Sequence, residues 1–295
     1  MGDAGQRTDF SSEVFPELRA PSGPLPLQGH FSTVLQWALT KLDSGDPEVL
    51  PHFVHHTQDF AVMYDGYPKS EVHLLVMPRA RINSARSLSK EHLPLLRSLA
   101  AYTAWVLESV AKQRPELTLR HGVHAGPSLL QLHVHVLSQD FRSPCLKNKK
   151  HFNSFQPPFL VPLPHVLAEL EASGSVAGAK AAEETAWLKR DLVCSGCGKE
   201  FGNKFAELRQ HLVSCPPPPS APPPWPLESG GGAPGLAANA AAGPDRIAAS
   251  DVAGADHIGT DKPGTARPGP LGAWLGRAGG AKRPRDEDFV DLCDD

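Results

Sequence analysis

The sequence predicts an α+β domain in which helices flank an antiparallel sheet, followed by a small ββα unit and a disordered tail. Segments with helical and strand spacing alternate between residues 30 and 141 in the order helix, hairpin, helix, hairpin. Residues 216–295 hold 14 of the 30 prolines and 13 of the 26 glycines. A segment of this composition cannot bury enough apolar surface to offset its chain entropy, so we expect it to be disordered.

The individual elements follow from the spacing of apolar residues. Helices are expected at 30–42 and 89–113, where Ser89 is suited to cap the second helix. Strands are expected at 59–65, 72–78, 117–126 and 129–141, the first two joined by the turn sequence GYPKSE. Two helical connectors, 164–173 and 179–192, lead into a cysteine cluster.

Charge and cysteine content limit the possible partners. The tail carries 7 basic and 11 acidic residues, which leaves 22 basic and 21 acidic residues in the rest of the chain. Any contact with nucleic acid therefore has to use local basic patches. No apolar run approaches the roughly 18 residues of a membrane span, and the N-terminus lacks the apolar core of a secretory signal, so no membrane contact is expected. Three of the five cysteines cluster with a histidine, which favours a metal site over disulfides.

The stretch LLQLHVHVLSQDF, residues 129–141, places two histidines two residues apart in an apolar run. In a strand, Gln131, His133 and His135 share one face, and the intervening apolar residues face the core. A single strand histidine is more often structural. Two histidines at this spacing can also bind a metal, although no third ligand lies nearby in the sequence. A neutral imidazole whose other N–H is held by an acceptor is a nucleophile near neutral pH, so the pattern favours nucleophilic catalysis on phosphorus.

The surrounding residues resemble a known family. The stretch HAGPSLLQLHVHVLSQDFRSPCLKNKKHFNSF (124–155) resembles the histidine-triad (HIT) hydrolases, and their aprataxin branch in particular. The segment YDGYPKSEVHLLVMPR (64–79) is similar to the nucleotide-binding hairpin of that branch, and the similarity extends over residues 55–215. The resemblance implies a HIT-like sheet and a nuclear DNA repair enzyme. Such an enzyme removes AMP from adenylated 5′ DNA ends, left by abortive ligation, through a covalent histidine–AMP intermediate.

The resemblance also implies roles for single residues. His133, at the middle triad position, would be the nucleophile. His135 would bind the AMP phosphate, and His124 would contact the bridging oxygen or the leaving phosphate. The other implied contacts are Ser128 with the AMP phosphate, Gln131 with the nucleotide, Asp65 and Lys69 with the ribose and the DNA end, and Lys147 with a DNA phosphate.

Gln131 departs from the family pattern, which usually has histidine at this first triad position. Glutamine keeps both a donor and an acceptor, and the position does not form the covalent bond. We therefore expect activity to survive at a reduced level. The opposite outcome would be a protein that keeps the fold and has lost turnover.

The stretch CSGCGKEFGNKFAELRQHLVSC (194–215) spaces four potential metal ligands as Cys194-x2-Cys197-x13-His211-x3-Cys215. Zinc accepts thiolate and imidazole in this combination, so the spacing predicts one structural Zn²⁺. Without metal so small a unit would not fold. No metal is expected to be required for the hydrolysis itself.

Contacts with DNA are expected from basic and aromatic residues. Lys204 and Arg209 make the finger suited to phosphate contacts, and Lys149 in the run KNKK extends the same track, although such a run is usually a solvated face. The resemblance to the aprataxin branch also implies that aromatic residues of the first helix, Phe31 and Trp37, stack on a terminal base pair, worth about 1–3 kcal/mol per base. A place in the core explains both aromatic residues equally well.

The tail offers two short signals. The cluster KRPR (282–285) indicates nuclear import. The terminus DEDFVDLCDD (286–295) resembles a SUMO-interaction motif, which would bind SUMO or a SUMOylated repair protein by strand addition. Solvation alone accounts equally well for such a run of acidic residues.

The expected domain organisation has five parts: a flexible N-terminus at 1–28, the catalytic domain at 29–165, a helical connector at 166–190, the finger at 191–216 and the tail at 217–295. Three functions are open. The first is a monomeric deadenylase acting on nicked or double-stranded DNA, with 3′-guanylate removal as an additional activity. The second is a HIT hydrolase of small nucleotides, a nucleoside phosphoramidase or dinucleotide hydrolase, and the third is a DNA-end adaptor with weak or no catalysis. The finger argues against the second, because a small substrate needs no grip on a duplex.

Overall fold

A six-stranded antiparallel sheet forms the frame of the protein. The structure is a computed structural model and describes residues 7–21, 23–26 and 30–215. The strands are β1 (Phe53–His56), β2 (Phe60–Tyr64), β3 (His73–Pro78), β4 (Leu119–His124), β5 (Val134–Ser138) and β6 (Leu160–Val161). Their order across the sheet is β1-β2-β3-β5-β4-β6. Every neighbouring pair is antiparallel, which confirms the predicted α+β class.

Five helices accompany the sheet: α1 (Val34–Asp43), α2 (Leu93–Gln113), α3 (Lys149–Asn153), α4 (Leu163–Ser173) and α5 (Ala181–Lys189). The long helix starts later than its apolar pattern predicts. Ser89 caps a short 3-10 turn, Lys90–His92, and α2 follows with Pro94 in its first turn. Proline is tolerated there because the first turn has no intrahelical acceptor for its missing N–H. None of the helices in the described part of the chain has the length and apolarity that a membrane crossing requires.

The sheet gains two edge strands that the sequence did not predict, β1 and β6. They have 4 and 2 residues, too few to display an alternation of apolar and polar side chains. Strand β5 is also shorter than expected, because pairing with its neighbours begins only at Val134. The expected strand is interrupted before β5 at Gln131, whose φ of +104° is incompatible with extended strand geometry.

One face of the sheet, the first face, packs on α2 and α4. Alternate residues of β2, β3 and β5 point into this core, where they meet Leu96, Leu99 and Val106 of α2. Phe10 of the N-terminal segment joins the same core at 3% exposure, and its ring lies 4.9 Å from that of Tyr102. The segment expected to be flexible therefore contains an anchored part. A single buried aromatic residue provides the anchor, which the Pro/Gly-rich composition of the segment conceals.

The opposite face, the second face, is divided between two apolar clusters. Helix α1 covers β2 and β3 through residues such as Leu35 and Leu39, which meet Met63 and Leu75. At the other side, Leu137 of β5 packs with residues of the C-terminal unit, which spans residues 192–215. The shared cluster, here called the junction cluster, consists of Leu137, Phe141, Leu146, Phe152, Phe155, Leu160, Leu192, Cys194, Phe201, Leu208, Leu212 and Cys215. Polar side chains of the sheet face the space between these two clusters.

The C-terminal unit consists of β7 (Leu192–Val193), β8 (Glu200–Gly202) and α6 (Phe205–Ser214), which is the predicted ββα arrangement. Because the junction cluster contains residues of the sheet domain and of the C-terminal unit, the C-terminal unit packs against the sheet and shares its core. The predicted disordered tail, the KRPR cluster and the SUMO-interaction motif all lie outside the described residues.

Candidate active site and zinc site

Three buried histidines and one half-buried histidine lie together on the second face, between α1 and the C-terminal unit. This histidine cluster consists of His73 on β3, His124 at the end of β4, His133 directly before the first residue of β5, and His135 on β5. The ring of His135 is central, with centroid distances of 4.2 Å to His124, 4.8 Å to His133 and 5.2 Å to His73. The strand order brings these residues together, because β5 lies between β3 and β4.

His133 is oriented by the main chain. Its Nδ1 lies 2.7 Å from the carbonyl oxygen of Gln131. A carbonyl only accepts hydrogen bonds, so Nδ1 carries the proton and Nε2 keeps its lone pair. The positive φ of Gln131 is uncommon for a residue other than glycine.

The side chain of Gln131 reaches the end of β3. Its amide donates to the carbonyl oxygens of Pro78 at 2.7 Å and Ala80 at 2.9 Å, and the residue is fully buried. Gln131 thus holds the chain that follows β3, while its own carbonyl holds His133. The contact between Gln131 and a nucleotide stays a prediction.

His135 presents an N–H to the site. The backbone N–H of Lys69 donates to Nδ1 of His73 at 3.1 Å, so His73 carries its proton on Nε2. That Nε2–H donates to Nδ1 of His135 at 3.0 Å, which places the proton of His135 on Nε2. This Nε2, like that of His124, is buried and has no hydrogen-bond partner among the described residues. Two unpartnered buried nitrogens beside a free imidazole lone pair are suited to bind a polar ligand between them.

His73 is a functional candidate that the sequence analysis missed. Its Nε2 lies 3.5 Å from the Asp65 carboxylate. Together with His135, these two residues bring three potential metal ligands within 4.8 Å of one another. The signal in the sequence was the position of His73 at the start of a strand directly after the hairpin that carries Asp65 and Lys69. Only the pairing of β3 with β5 makes it a neighbour of the His-x-His strand.

Burial determines the charge of the cluster. It lowers the pKa of His133, against the opposing influence of the Gln131 carbonyl and of Asp65. Burial, reinforced by neighbouring histidines, lowers the pKa of His124 to about 3, and burial lowers that of His73 to about 4 although Asp65 opposes it. The pKa of His135 also lies well below its ordinary value, because the ring is buried. All four imidazoles are therefore neutral at pH 7.

The remaining phosphate and nucleotide candidates flank the cluster. Burial disfavours the Asp65 carboxylate, but its pKa is lowered, because His73, Lys69, the backbone N–H of Tyr67 and His133 favour the charged form. The Lys69 ammonium donates to the carbonyl oxygen of Tyr67 at 2.6 Å within the hairpin. Ser128 is exposed in the loop of residues 125–130 between β4 and β5.

The candidate DNA contacts occupy different environments. Phe31 and Trp37 are half-buried, and Trp37 packs against the apolar cluster that α1 forms with β2 and β3. Lys147 is exposed, whereas the Lys149 ammonium contacts Asn203 and lies 3.4 Å from Asp191. Lys149 thus joins the sheet domain to the C-terminal unit. On that unit, Lys204 and Arg209 are both exposed.

The four predicted zinc ligands converge. Their donor atoms all lie within 4.8 Å of one another. The Cys194 and Cys215 sulfurs are 3.6 Å apart, and the Cys197 sulfur is 3.2 Å from Nε2 of His211. A tetrahedral zinc with bonds of about 2.0–2.3 Å needs ligands about 3.3–3.8 Å apart. The donor set and its spacing therefore fit one structural zinc ion.

The fold and site together define a histidine-triad type of domain fused to a zinc finger. Residues 36–151 match the family model described as scavenger mRNA decapping enzyme C-term binding, and residues 156–216 match that of the C2HE / C2H2 / C2HC zinc-binding finger. The chain belongs to the aprataxin family. It is 31% identical over 188 residues to an aprataxin-like protein of Saccharomyces cerevisiae, covering 52% of this chain and 82% of that protein.

Two further comparisons agree. Aprataxin of Danio rerio is 38% identical over 187 residues, which cover 62% of this chain and 53% of that protein, so the chain spans about half the length of this relative. A crystal structure of the aprataxin ortholog Hnt3 in complex with DNA aligns with a TM-score of 0.51 at 25% identity, covering 62% of this chain and 94% of that one. The predicted family and the predicted HIT-like fold with a finger are confirmed.

Proposed function

We propose that this protein is a DNA-end hydrolase that removes 5′-AMP from adenylated 5′ DNA ends and leaves a 5′-phosphate. The observation that carries the proposal is the hydrogen bond from His133 Nδ1 to the Gln131 carbonyl. It presents the Nε2 lone pair beside two buried nitrogens that lack partners. A neutral nucleophile with a fixed tautomer, next to the N–H donor of His135, is suited to attack on phosphorus.

In the first step, Nε2 of His133 attacks the phosphorus of the adenylate. An N–P bond forms, and the bond from phosphorus to the bridging oxygen breaks. The DNA leaves as a 5′-phosphate with the electron pair of that bond. The imidazole becomes cationic. Its Nδ1–H still donates to the Gln131 carbonyl, and this charge-assisted hydrogen bond stabilises the positive ring. His135 Nε2–H donates to a non-bridging oxygen, and Ser128 contacts the same phosphate.

In the second step, water attacks the phosphorus, the N–P bond breaks and AMP leaves. The electron pair returns to Nε2 and the proton of the water passes to solvent, so His133 regains its resting state. His124 faces the bridging oxygen or the leaving phosphate. Because its pKa is about 3, it enters the reaction as a neutral hydrogen-bonding group. No step requires a metal at the histidine cluster.

The DNA assignment draws support from the finger and from the relatives. The finger places the exposed cations Lys204 and Arg209 on a unit that shares a core with the catalytic sheet. Phosphate contacts of this kind position a duplex without reading its sequence. The ortholog Hnt3 was crystallised in complex with DNA. Nuclear location, a monomeric state and removal of 3′-guanylate belong to the same proposal.

Release of AMP from a nicked duplex carrying 5′-AMP tests this function. We expect turnover by the full chain, a trapped phosphoramidate on residue 133, and loss of both in His133→Ala. The matched control is His56→Ala, because His56 is an exposed histidine of β1. Turnover of adenosine 5′-phosphoramidate alone would support the small-nucleotide hydrolase instead. Binding of the nick with no adduct would support the adaptor.

A further inference from the structure

The approach to His133 is nearly closed. The cavity beside its ring, here called the mouth, has a volume of about 10 Å³ and is lined by Ser84, Ala85 and Pro127 among others. This is room for no more than about one water molecule, and His133 is only 5% exposed. Through this cavity an adenylate can reach Nε2 only if the walls of the mouth separate.

Arg86 ties these walls together. Its guanidinium donates to the carbonyl oxygen of Ala125 at 3.1 Å and to that of Ala179 at 2.9 Å. It also forms an ion pair with Glu184. One side chain thus links the turn Ala85–Ser87, the loop of residues 125–130 and the connector that leads into α5.

Glu184 places a negative charge at the mouth. Its carboxylate lies so close to Gly126 that a Cβ built on this glycine would overlap it. Gly126 stands between His124 and Ser128 in the chain, two of the residues that the proposed function assigns to phosphates. A carboxylate and a phosphate brought together beside Gly126 would repel each other. Glu184 and a bound DNA end therefore compete for the same space.

We infer that Arg86 and Glu184 form a latch, in which Arg86 is a DNA-phosphate ligand that Glu184 occupies until substrate arrives. The incoming phosphate replaces Glu184 and the carbonyl oxygens of Ala125 and Ala179 on the guanidinium, and the three segments that Arg86 joins then separate. Guanidinium groups bind phosphate as well as carboxylate in bidentate geometry, so the exchange keeps Arg86 paired. The inference rests on the proposed function, since it takes an adenylated DNA end as the ligand.

The latch predicts opposite effects for its two halves. Glu184→Gln should raise kcat/KM on the adenylated nicked duplex by about tenfold, mainly through KM, because it removes a charged competitor. Arg86→Ala should lower kcat/KM on the same duplex and reduce the slope of log affinity against log salt by about one. On adenosine 5′-phosphoramidate, which carries no DNA phosphate, Arg86→Ala should instead increase turnover because the mouth is released.

The matched control is the pair Arg97 and Glu171, an exposed ion pair of 2.8 Å between α2 and α4. Arg97→Ala and Glu171→Gln should leave kcat/KM on both substrates unchanged. Thermal melts report whether each variant is folded. If folded Glu184→Gln does not gain activity on DNA, the latch is wrong, while AMP release that depends on His133 keeps the proposed function. If the wild-type chain neither binds nor processes the adenylated duplex, both are overturned.

Discussion

Replacing Gln131 with leucine separates its two contributions, because the substitution removes the amide and keeps the main-chain carbonyl. The carbonyls of Pro78 and Ala80 lose their donors. An acceptor left without a donor in a buried position costs about 1–3 kcal/mol. Part of this is recovered, because the Gln131 amide oxygen is itself buried without a partner among the described residues, and Ala80 is exposed to water. The free energy of unfolding should therefore fall by about 1–3 kcal/mol.

The chemical step should be affected less than stability. His133 keeps its hydrogen bond to the carbonyl of residue 131, so formation of the adduct should slow by less than about tenfold, or 1.4 kcal/mol. Urea titrations give the change in unfolding free energy, and single-turnover quenching gives the rate of adduct formation. The control Gln36→Leu removes an amide that donates to Asn83 at the surface, and should change stability by no more than about 0.5 kcal/mol.

A specific result would refute this division of roles. If Gln131→Leu abolished the adduct while the unfolding free energy stayed that of the wild type, the amide would have to contact the nucleotide directly. The hydrogen bonds from the Gln131 amide to Pro78 and Ala80 would then contribute little to stability. The first triad position would instead act on the substrate, as the family resemblance implies.

Four further outcomes are expected. Because burial lowers the pKa of His133, the rate of adduct formation should stay nearly constant from pH 8 to 7 and fall at lower pH with a midpoint below the ordinary histidine value of about 6.5; a midpoint above that value would contradict this. The pKa of His73 is lowered to about 4 in the folded protein, so the unfolded chain takes up its proton first, and the unfolding free energy should decrease by up to about 1.4 kcal/mol per pH unit between pH 6.5 and 4; denaturant titrations that give the same slope for His73→Asn would exclude it. Chelation of zinc or Cys215→Ser should lower the melting temperature of the whole described unit, since Cys215 belongs to the junction cluster; an unchanged melt of the catalytic domain would argue against a shared core. In salt titrations of DNA binding, replacement of the exposed Arg209 by alanine should reduce the slope by about one, whereas Lys149→Ala should leave it unchanged, because that ammonium already contacts Asn203 and Asp191.

Sequence reasoning succeeded where the information is local. Strands of five or six residues, such as β2 and β3, show their alternation directly. The zinc ligands were also accessible, because two close pairs of ligands on a short finger must converge. The edge strand β6, with two residues, carries no such pattern. Phe10 was missed because the composition of its segment outweighs one anchored ring.

The histidine cluster illustrates the limit. His133 and His135 were identified because two positions of a strand share a face whatever surrounds it. The side chain of Gln131 left that pattern, because a backbone with positive φ turns its carbonyl toward His133. His73 lies 62 positions from His135 in the chain, and no spacing rule connects them.

By itself the sequence determined the period of each segment, the ligands of the zinc site and the two imidazoles of the His-x-His strand. These depend on neighbours within a few residues, whose relative positions the backbone geometry dictates. Only the tertiary structure decided that β5 lies between β3 and β4, that Lys69 and His73 set the tautomer of His135, and that Arg86 and Glu184 meet at the mouth. Those contacts join residues far apart in the chain, and the packing of the whole domain selects them.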